Sequence, residues 1–190
     1  MKTTRSNRQF PTRIVRSSQR GISIISVLLG LVVAALVTGV AYDQFQNSQR
    51  KARIDAVTTE IATMITEAQK IYGSANQYGS VTTAVAVQGG VVPPRLRVAG
   101  TATAQNKYNG AITFTPATIT TANDSLTLGF ASVTNIDCQD IVLSLERFAR
   151  RVNVGAQVPK PNDGALNLGT LASACDAADT VQIDFTFGRQ

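Results

Sequence analysis

The sequence contains no histidine, and its acidic residues are scattered along the chain. Histidine is the usual general base of hydrolytic triads and the commonest zinc ligand in proteins. A Gly-x-Ser-x-Gly nucleophile motif and a glycine-rich phosphate loop are also absent from the sequence. We therefore expect neither an enzyme nor a protein that holds a cofactor or a metal ion.

Acidic residues are missing from the first 21 residues, which carry six positive charges: Lys2, Arg5, Arg8, Arg13, Arg16 and Arg20. Beyond Gly21 the chain has equal numbers of basic and acidic residues, so the net charge of +6 belongs to this basic leader, residues 1–21. Binding of nucleic acid requires a concentrated positive surface. We therefore expect no direct binding of nucleic acid by the rest of the chain.

The next segment, residues 22–42, has no charged residue. A helix of about 21 residues, at about 1.5 Å per residue, covers the roughly 30 Å hydrocarbon layer of a membrane. The positive leader keeps the N-terminus in the cytoplasm, so the chain after Asp43 is exported. A cleaved secretory signal ending near Ala41 and an uncleaved membrane anchor are two alternatives. The apolar run is long for the first, and neither explains the pattern that follows.

Proline is absent between residues 22 and 72, so one helix of about 50 residues can occupy this range. Its second half is amphipathic, with apolar residues at three- and four-residue spacing: Ile54, Val57, Ile61, Met64, Ile65, Ala68 and Ile71. Charged residues, Glu60 among them, lie between these positions and form the expected polar face. Gly73 is the expected end of the helix.

Residues 73–190 form the predicted globular head. The run GGVVPPR, residues 89–95, predicts a turn-rich connector. Alternation of apolar and polar residues then predicts three strands, at 112–115, 126–131 and 181–187. Half-buried strands of this kind are typical of an antiparallel sheet whose apolar face needs a cover, and the stripe on the long helix supplies one. The predicted fold class is α+β, with a long N-terminal helix packed on an antiparallel sheet.

A shorter helix is predicted between the strands, in CQDIVLSLERFARRV, with Asn135 or Asp137 as its cap. One side of it carries apolar residues: Ile141, Leu145, Phe148 and Val152. Three arginines lie off that side: Arg147, Arg150 and Arg151. A solvated face is the ordinary interpretation of these arginines, and a lateral contact with a neighbouring subunit is the alternative.

The only two cysteines, Cys138 and Cys175, both follow the apolar segment and would face an oxidising compartment. A disulfide between them would close a loop of about 38 residues and contribute about 4 kcal/mol in the chain-entropy model. Two reduced, buried thiols are the alternative. A zinc site is disfavoured, because two thiols without histidine fill only half of a tetrahedral shell.

The order of these features resembles that of a type IV pilin: a basic leader, Gly21, 21 apolar residues, an amphipathic continuation, a connector, strands and two late cysteines. The chain is similar in particular to the type IVb group, which includes toxin-coregulated and plasmid-encoded thin-pilus pilins. Three features carry this narrower resemblance. They are the long leader, Ile22 rather than Phe as first mature residue, and the cysteine segments DCQDIVLSLERF and SACDAADTVQIDFTFGRQ.

The resemblance implies a pilin fold and the major subunit of a type IVb pilus for adhesion, aggregation or conjugation. A prepilin peptidase would cut after Gly21 and methylate the new amine of Ile22. The inner-membrane pilus assembly machinery would then move the precursor from the membrane into an extracellular helical homopolymer. Lipid and a helix bundle are about equally apolar, so close packing must favour this transfer. A ridge of small residues offers such packing: Gly30, Ala34, Thr38 and Ala41.

Ser26 departs from the family pattern, which usually has a glutamate five residues after the cleavage glycine. A hydroxyl can accept a hydrogen bond from a neighbour's N-terminal amine but cannot neutralise its charge. Either the amine finds another acceptor, or the chain is a minor or tip pilin. A type II secretion pseudopilin and a membrane-anchored periplasmic binding module or enzyme are two further alternatives.

Overall fold

A computed structural model of the chain describes residues 24–73 and 78–188, without the side chains of Val40 and Asp43. The helices are α1 (Ile24–Ala68), α2 (Thr83–Gln88), α3 (Asn135–Leu145) and α4 (Leu168–Cys175). The strands are β1 (Ala104–Gln105), β2 (Ala111–Ala117), β3 (Ser125–Thr134), β4 (Arg151–Val154), β5 (Gln157–Lys160) and β6 (Thr180–Gly188). A π-helical turn, Gln69–Gly73, follows α1 directly. Residues 74–77 lie outside the described range, so the expected helix end at Gly73 stays a prediction.

The chain divides into two compact units at the boundary between Phe45 and Gln46. The described part of the first unit, residues 24–45, is helix only. Its large apolar side chains are exposed, from 50% at Val27 to 77% at Ile24. By length and composition the helix Ile24–Gly73 could cross a membrane, and its most apolar stretch is not buried in the structure.

The second unit contains a six-stranded sheet in the order β1-β2-β3-β6-β4-β5, and all of its strand pairs are antiparallel. The long strands β3 and β6 form its centre, where large apolar residues face each other in register: Leu126 with Phe187, Leu128 with Phe185, and Phe130 with Ile183. These six side chains are fully buried. The three strands predicted from alternation correspond to β2, β3 and β6, and that prediction is confirmed.

The part of α1 in the second unit covers the apolar face of the sheet. Six of the seven predicted stripe residues are buried and belong to one core with the strands: Ile54, Val57, Ile61, Met64, Ile65 and Ala68. The predicted α+β fold, with the helix on the sheet, is confirmed. Two details of the stripe are wrong. Ile71 is 39% exposed, whereas Tyr72 in the π-helical turn is buried, and Glu60 is fully buried.

The predicted second helix is shorter than expected. It ends at Leu145, a 3₁₀ turn holds Arg147 and Phe148, and Val152 lies in β4. Helical spacing and strand alternation overlap here, because Val152 and Val154 also fit period two and pair with β6. Their burial at the sheet decides between the two patterns.

Neither predicted cap residue caps α3. The N-cap is Thr134, which makes no side-chain capping bond, and Asp137 lies within the first turn.

Arg150 and Arg151 also lie outside the helix. Arg150 forms an ion pair with Asp163, and Arg151 begins β4 and donates to Asn153.

Candidate assembly surfaces and the contacts that shape them

The described part of the first unit presents the predicted small-residue ridge. Gly30, Ala34, Thr38 and Ala41 are exposed. Their spacing places them along one side of the helix. The hydroxyl of Thr38 donates a hydrogen bond of 2.7 Å to the carbonyl of Ala34, which satisfies its polar atom within the helix. A Cβ added at Gly30 would have no atom within 4 Å. The side chains of the ridge are therefore short, and a second helix can approach its backbone closely.

The predicted cleavage site, Gly21 and Ile22, lies outside the described residues, as does the leader. Ser26 lies in the first turn of α1 and is exposed. The cleavage, the methylation and the consequence of Ser26 therefore stay predictions.

The disulfide between Cys138 and Cys175 is present and joins α3 to the last residue of α4, with Cα atoms 5.7 Å apart. Both cysteines are buried. A groove of about 620 Å³ lies between the two helices, and Asp140 and Asp176 contribute to its wall. The bridge fixes the position of the turn that leads from α4 into β6.

A buried carboxylate links α1 to α3. Asp137 is fully buried, and its two oxygens lie 2.9 Å from Arg50 Nε and 2.6 Å from Arg53 Nη2. Tyr108 donates a hydrogen bond of 2.8 Å from its hydroxyl to the same carboxylate. Arg50 also reaches Asp140 at 2.8 Å. The cluster ties the start of α3 and the β1–β2 turn to one stretch of α1.

These contacts set the titration of the cluster. Burial by itself raises the pKa of Asp137, but the hydrogen bonds from Arg50 and Tyr108 and the charge of Arg53 outweigh it, so the pKa lies below its ordinary value. Burial and the neighbouring Asp137 carboxylate raise the pKa of Tyr108. Asp137 is thus ionised and Tyr108 protonated at neutral pH.

The β1–β2 turn that carries Tyr108 is held by its own sequence. Asn106 accepts the backbone N–H groups of Tyr108 and Gly110 at 2.8 and 2.9 Å, and donates to the carbonyl of Ala131 at 2.7 Å. A Cβ on Gly110 would lie 2.0 Å from that carbonyl oxygen, so no other residue fits there without a shift.

A second buried carboxylate lies further along α1. One oxygen of Glu60 is 3.1 Å from Arg95 Nε and 3.3 Å from Lys107 Nζ. Its other oxygen has no hydrogen-bond partner among the described residues. Arg95 and Lys107 lie with Arg97 along a groove of about 380 Å³ beside β1. The groove therefore has three cations at its wall and one carboxylate beneath them.

Sequence reasoning missed both ion clusters, because the partners are far apart along the chain. The position of Glu60 was a usable signal, since it lies three residues after Val57 and four before Met64, on the buried stripe. No comparable signal marked Asp137. Within residues 24–73 and 78–188, no group of three or more His, Cys, Asp or Glu residues could hold a metal ion.

Comparison with known proteins gives one family and several similar folds. A family model described as PilS N terminal matches residues 51–187. The structure is similar to a type IVb pilin from Salmonella typhi, with a TM-score of 0.57, 19% identity, and coverage of 69% of this chain and 97% of that one. It is also similar to TcpA, a type IV pilin from Vibrio cholerae El Tor biotype, with a TM-score of 0.47, 17% identity, and coverage of 74% and 98%. No curated protein matches the chain.

Proposed function

The chain belongs to the PilS family and has the fold of type IVb pilins, and from this premise we propose that it is the major subunit of a surface fibre. The subunit polymerises through residues 22–42 after a prepilin peptidase removes the leader at Gly21. Before assembly it lies in the inner membrane with its N-terminus in the cytoplasm, and afterwards it forms an extracellular pilus. Its role is structural, and its main partner is itself.

The exposed helix of the first unit carries this proposal. Residues 24–45 expose nearly every large apolar side chain, whereas the second unit buries most of its own in one core. A soluble monomer rarely exposes so large an apolar surface. Lipid before assembly, and other copies of the helix afterwards, would cover it.

Transfer from lipid to fibre needs a driving force other than the hydrophobic effect, because both surroundings are apolar. The ridge of small residues supplies close van der Waals contact between helices. The disulfide-bonded head then adds contacts of its own between neighbouring copies. A contact repeated without closure produces a filament.

Ser26 favours a second candidate, a minor or tip pilin. A fibre core built from many copies would bury many N-terminal amines without the usual carboxylate partner, whereas a tip subunit buries few. Stained gels of fibres sheared from cells separate the two: the chain is the dominant band if it is the major subunit and a trace band if it is a minor pilin.

The direct experiment is electron microscopy of cells that produce the chain and of cells that lack it. The proposal predicts surface fibres in the first case only, labelled along their length by an antibody against the head. Short periplasmic structures without surface fibres would favour a type II secretion pseudopilin. A monomeric, membrane-anchored protein would favour a periplasmic binding module.

A further inference from the structure

The groove beside β1 contains two arginines that are fixed at one end and open at the other. Arg95 uses its Nε to bind Glu60 at 3.1 Å, and Arg97 uses its Nε to bind the carbonyl of Val92 at 2.9 Å. The terminal nitrogens of both guanidinium groups have no hydrogen-bond partner in the part of the chain that the structure describes. The side chain of Arg95 is 64% exposed.

A guanidinium held in this way is suited to bind a carboxylate. Its two terminal nitrogens form a planar fork that matches the two oxygens of a carboxylate group. Anchoring through Nε reduces the side-chain freedom that would be lost on binding. Lys107 adds a third positive charge to the same groove. Glu60 offsets only one of the three charges, so the groove attracts an anion.

The turn between α4 and β6 carries two carboxylates, whose negative charges complement the positive charges of the groove. Asp176 and Asp179 are exposed, and neither side chain has a hydrogen bond or ion pair with another described residue. The turn is rigid at both ends: Cys175 is bridged to Cys138, and the carbonyl of Asp179 accepts the N–H of Asn135 at 3.0 Å.

The place of Asp176 is unfavourable within one copy. Its N–H caps the C-terminus of α4, where the helix dipole is negative, so its carboxylate repels the helix end. A cation that bound there would interact favourably with the Asp176 carboxylate and with the C-terminal end of α4. Arg50 lies on the wall of the same groove, but its ion pairs among the described residues are with Asp137 and Asp140, and none is with Asp176.

The basic groove and the acidic turn cannot meet within one copy. Arg97 pairs with Ala104 of β1, at one end of the sheet order. Asp176 follows α4, which packs against β5 at the other end. A contact between them must join two copies, and because it uses two different surfaces it does not close on itself.

We propose that Arg95 and Arg97 of one copy bind Asp176 and Asp179 of the next, as a lateral contact between heads in the fibre. This inference rests on the proposed function, since it needs a polymer. Valine and alanine side chains complete the two surfaces: Val98 beside the arginines and Ala177 beside Asp176 are both exposed.

Charge reversal in the full-length chain tests the contact. Asp176→Lys with Asp179→Lys removes no contact within the head, and Arg97→Glu spares the partner of Glu60. Each should lower the yield of sheared fibres about tenfold or more, the scale expected for a close charge pair. Mature, disulfide-bonded subunit in the membrane should stay at the wild-type level. Combining all three substitutions should yield more fibre than either parent.

The matched control is Lys51→Glu with Asp55→Lys, a reversal of two exposed charges on α1. It should leave the fibre yield unchanged. Wild-type yield in either test variant, or a combined variant no better than its parents, overturns the contact. Loss of fibre in Arg97→Glu together with a wild-type yield in the aspartate variant would mean that a free anion or a different partner is the ligand of the groove.

Cysteine cross-linking gives an answer even if a reversed variant fails to fold. In Val98→Cys with Ala177→Cys, mild oxidation of fibres should produce a ladder of covalent oligomers, while each single variant gives dimers at most. Intact fibres without a ladder overturn the contact. If the unaltered chain forms no fibres at all, the proposed function fails instead.

Discussion

Arg50 of α1 and Asp137 of α3 lie 87 residues apart in sequence, and their side chains form a hydrogen-bonded ion pair of 2.9 Å. The carboxylate is fully buried, whereas the arginine is 35% exposed. Removing the arginine therefore affects stability differently from removing the carboxylate. An arginine that loses its partner can turn to water, but a buried carboxylate cannot.

We predict a corresponding asymmetry in stability. Replacing both arginines, Arg50→Ala with Arg53→Ala, should lower the free energy of unfolding of the head by about 3–5 kcal/mol, because Asp137 keeps only Tyr108. Asp137→Asn should cost less, about 1–3 kcal/mol, the penalty of unmade hydrogen bonds. Urea unfolding followed by near-ultraviolet circular dichroism measures both. Equal losses would show that burial of the charge does not control the cluster.

The same carboxylate makes stability depend on pH. Its pKa in the folded chain lies below the ordinary value of 3.8, so the unfolded chain binds the proton more tightly. The stability that ionised Asp137 contributes is complete above pH 3.8. It is lost as the pH falls from there through the lower pKa of the folded chain. Asp124 and Asp163 shift in the same direction, the first through backbone N–H groups and the second through Arg150.

Asp137→Asn isolates its share of this pH dependence. The slope of the unfolding free energy below pH 4 should be smaller in the variant than in the unaltered chain, while the two curves run parallel from about pH 5 to pH 7. Identical slopes in the acid range would contradict the assignment of a lowered pKa to Asp137.

The disulfide should stabilise the head through the unfolded state. Cys138→Ser with Cys175→Ser removes the bridge without leaving a single reactive thiol, and should lower the unfolding free energy by about 4 kcal/mol under non-reducing conditions. Addition of a reductant to the unaltered chain is the matched control and should approach the same value. Unchanged melting in the double variant would show that the bridge adds nothing to stability.

The small-residue ridge should matter for assembly but not for insertion into the membrane. Ala34→Leu adds bulk on the ridge and keeps the helix apolar, so the subunit should reach the membrane while the fibre yield falls. Val33→Leu, one position along and off the ridge, is the control and should assemble normally. Equal yields from the two variants would exclude close packing along the ridge.

The long regular elements were predictable because their patterns are local. Phe185 and Phe187 alternate with polar residues, and Ile61, Met64 and Ile65 repeat with the helical period, so burial follows from the sequence. The short pieces were not. Val152 fits two periods at once, and the two-residue strand β1 has no period of its own.

The ion clusters were unpredictable for a different reason. Asp137 and Glu60 find their partners only when distant segments meet, and neither spacing nor composition specifies which arginine approaches which carboxylate. The same holds for the open forks of Arg95 and Arg97, which are defined by what their Nε atoms bind. Such features depend on tertiary contacts, so only the structure shows them.

The central claim is that the apolar helix leaves the membrane and is covered by copies of itself once the leader has been removed. Intact-mass spectrometry of protein sheared from the cell surface as fibres tests it most directly. The predicted mass is that of residues 22–190 with one disulfide and one added methyl group. A chain that begins at Met1 with its leader attached, recovered only as a monomer, would contradict the claim.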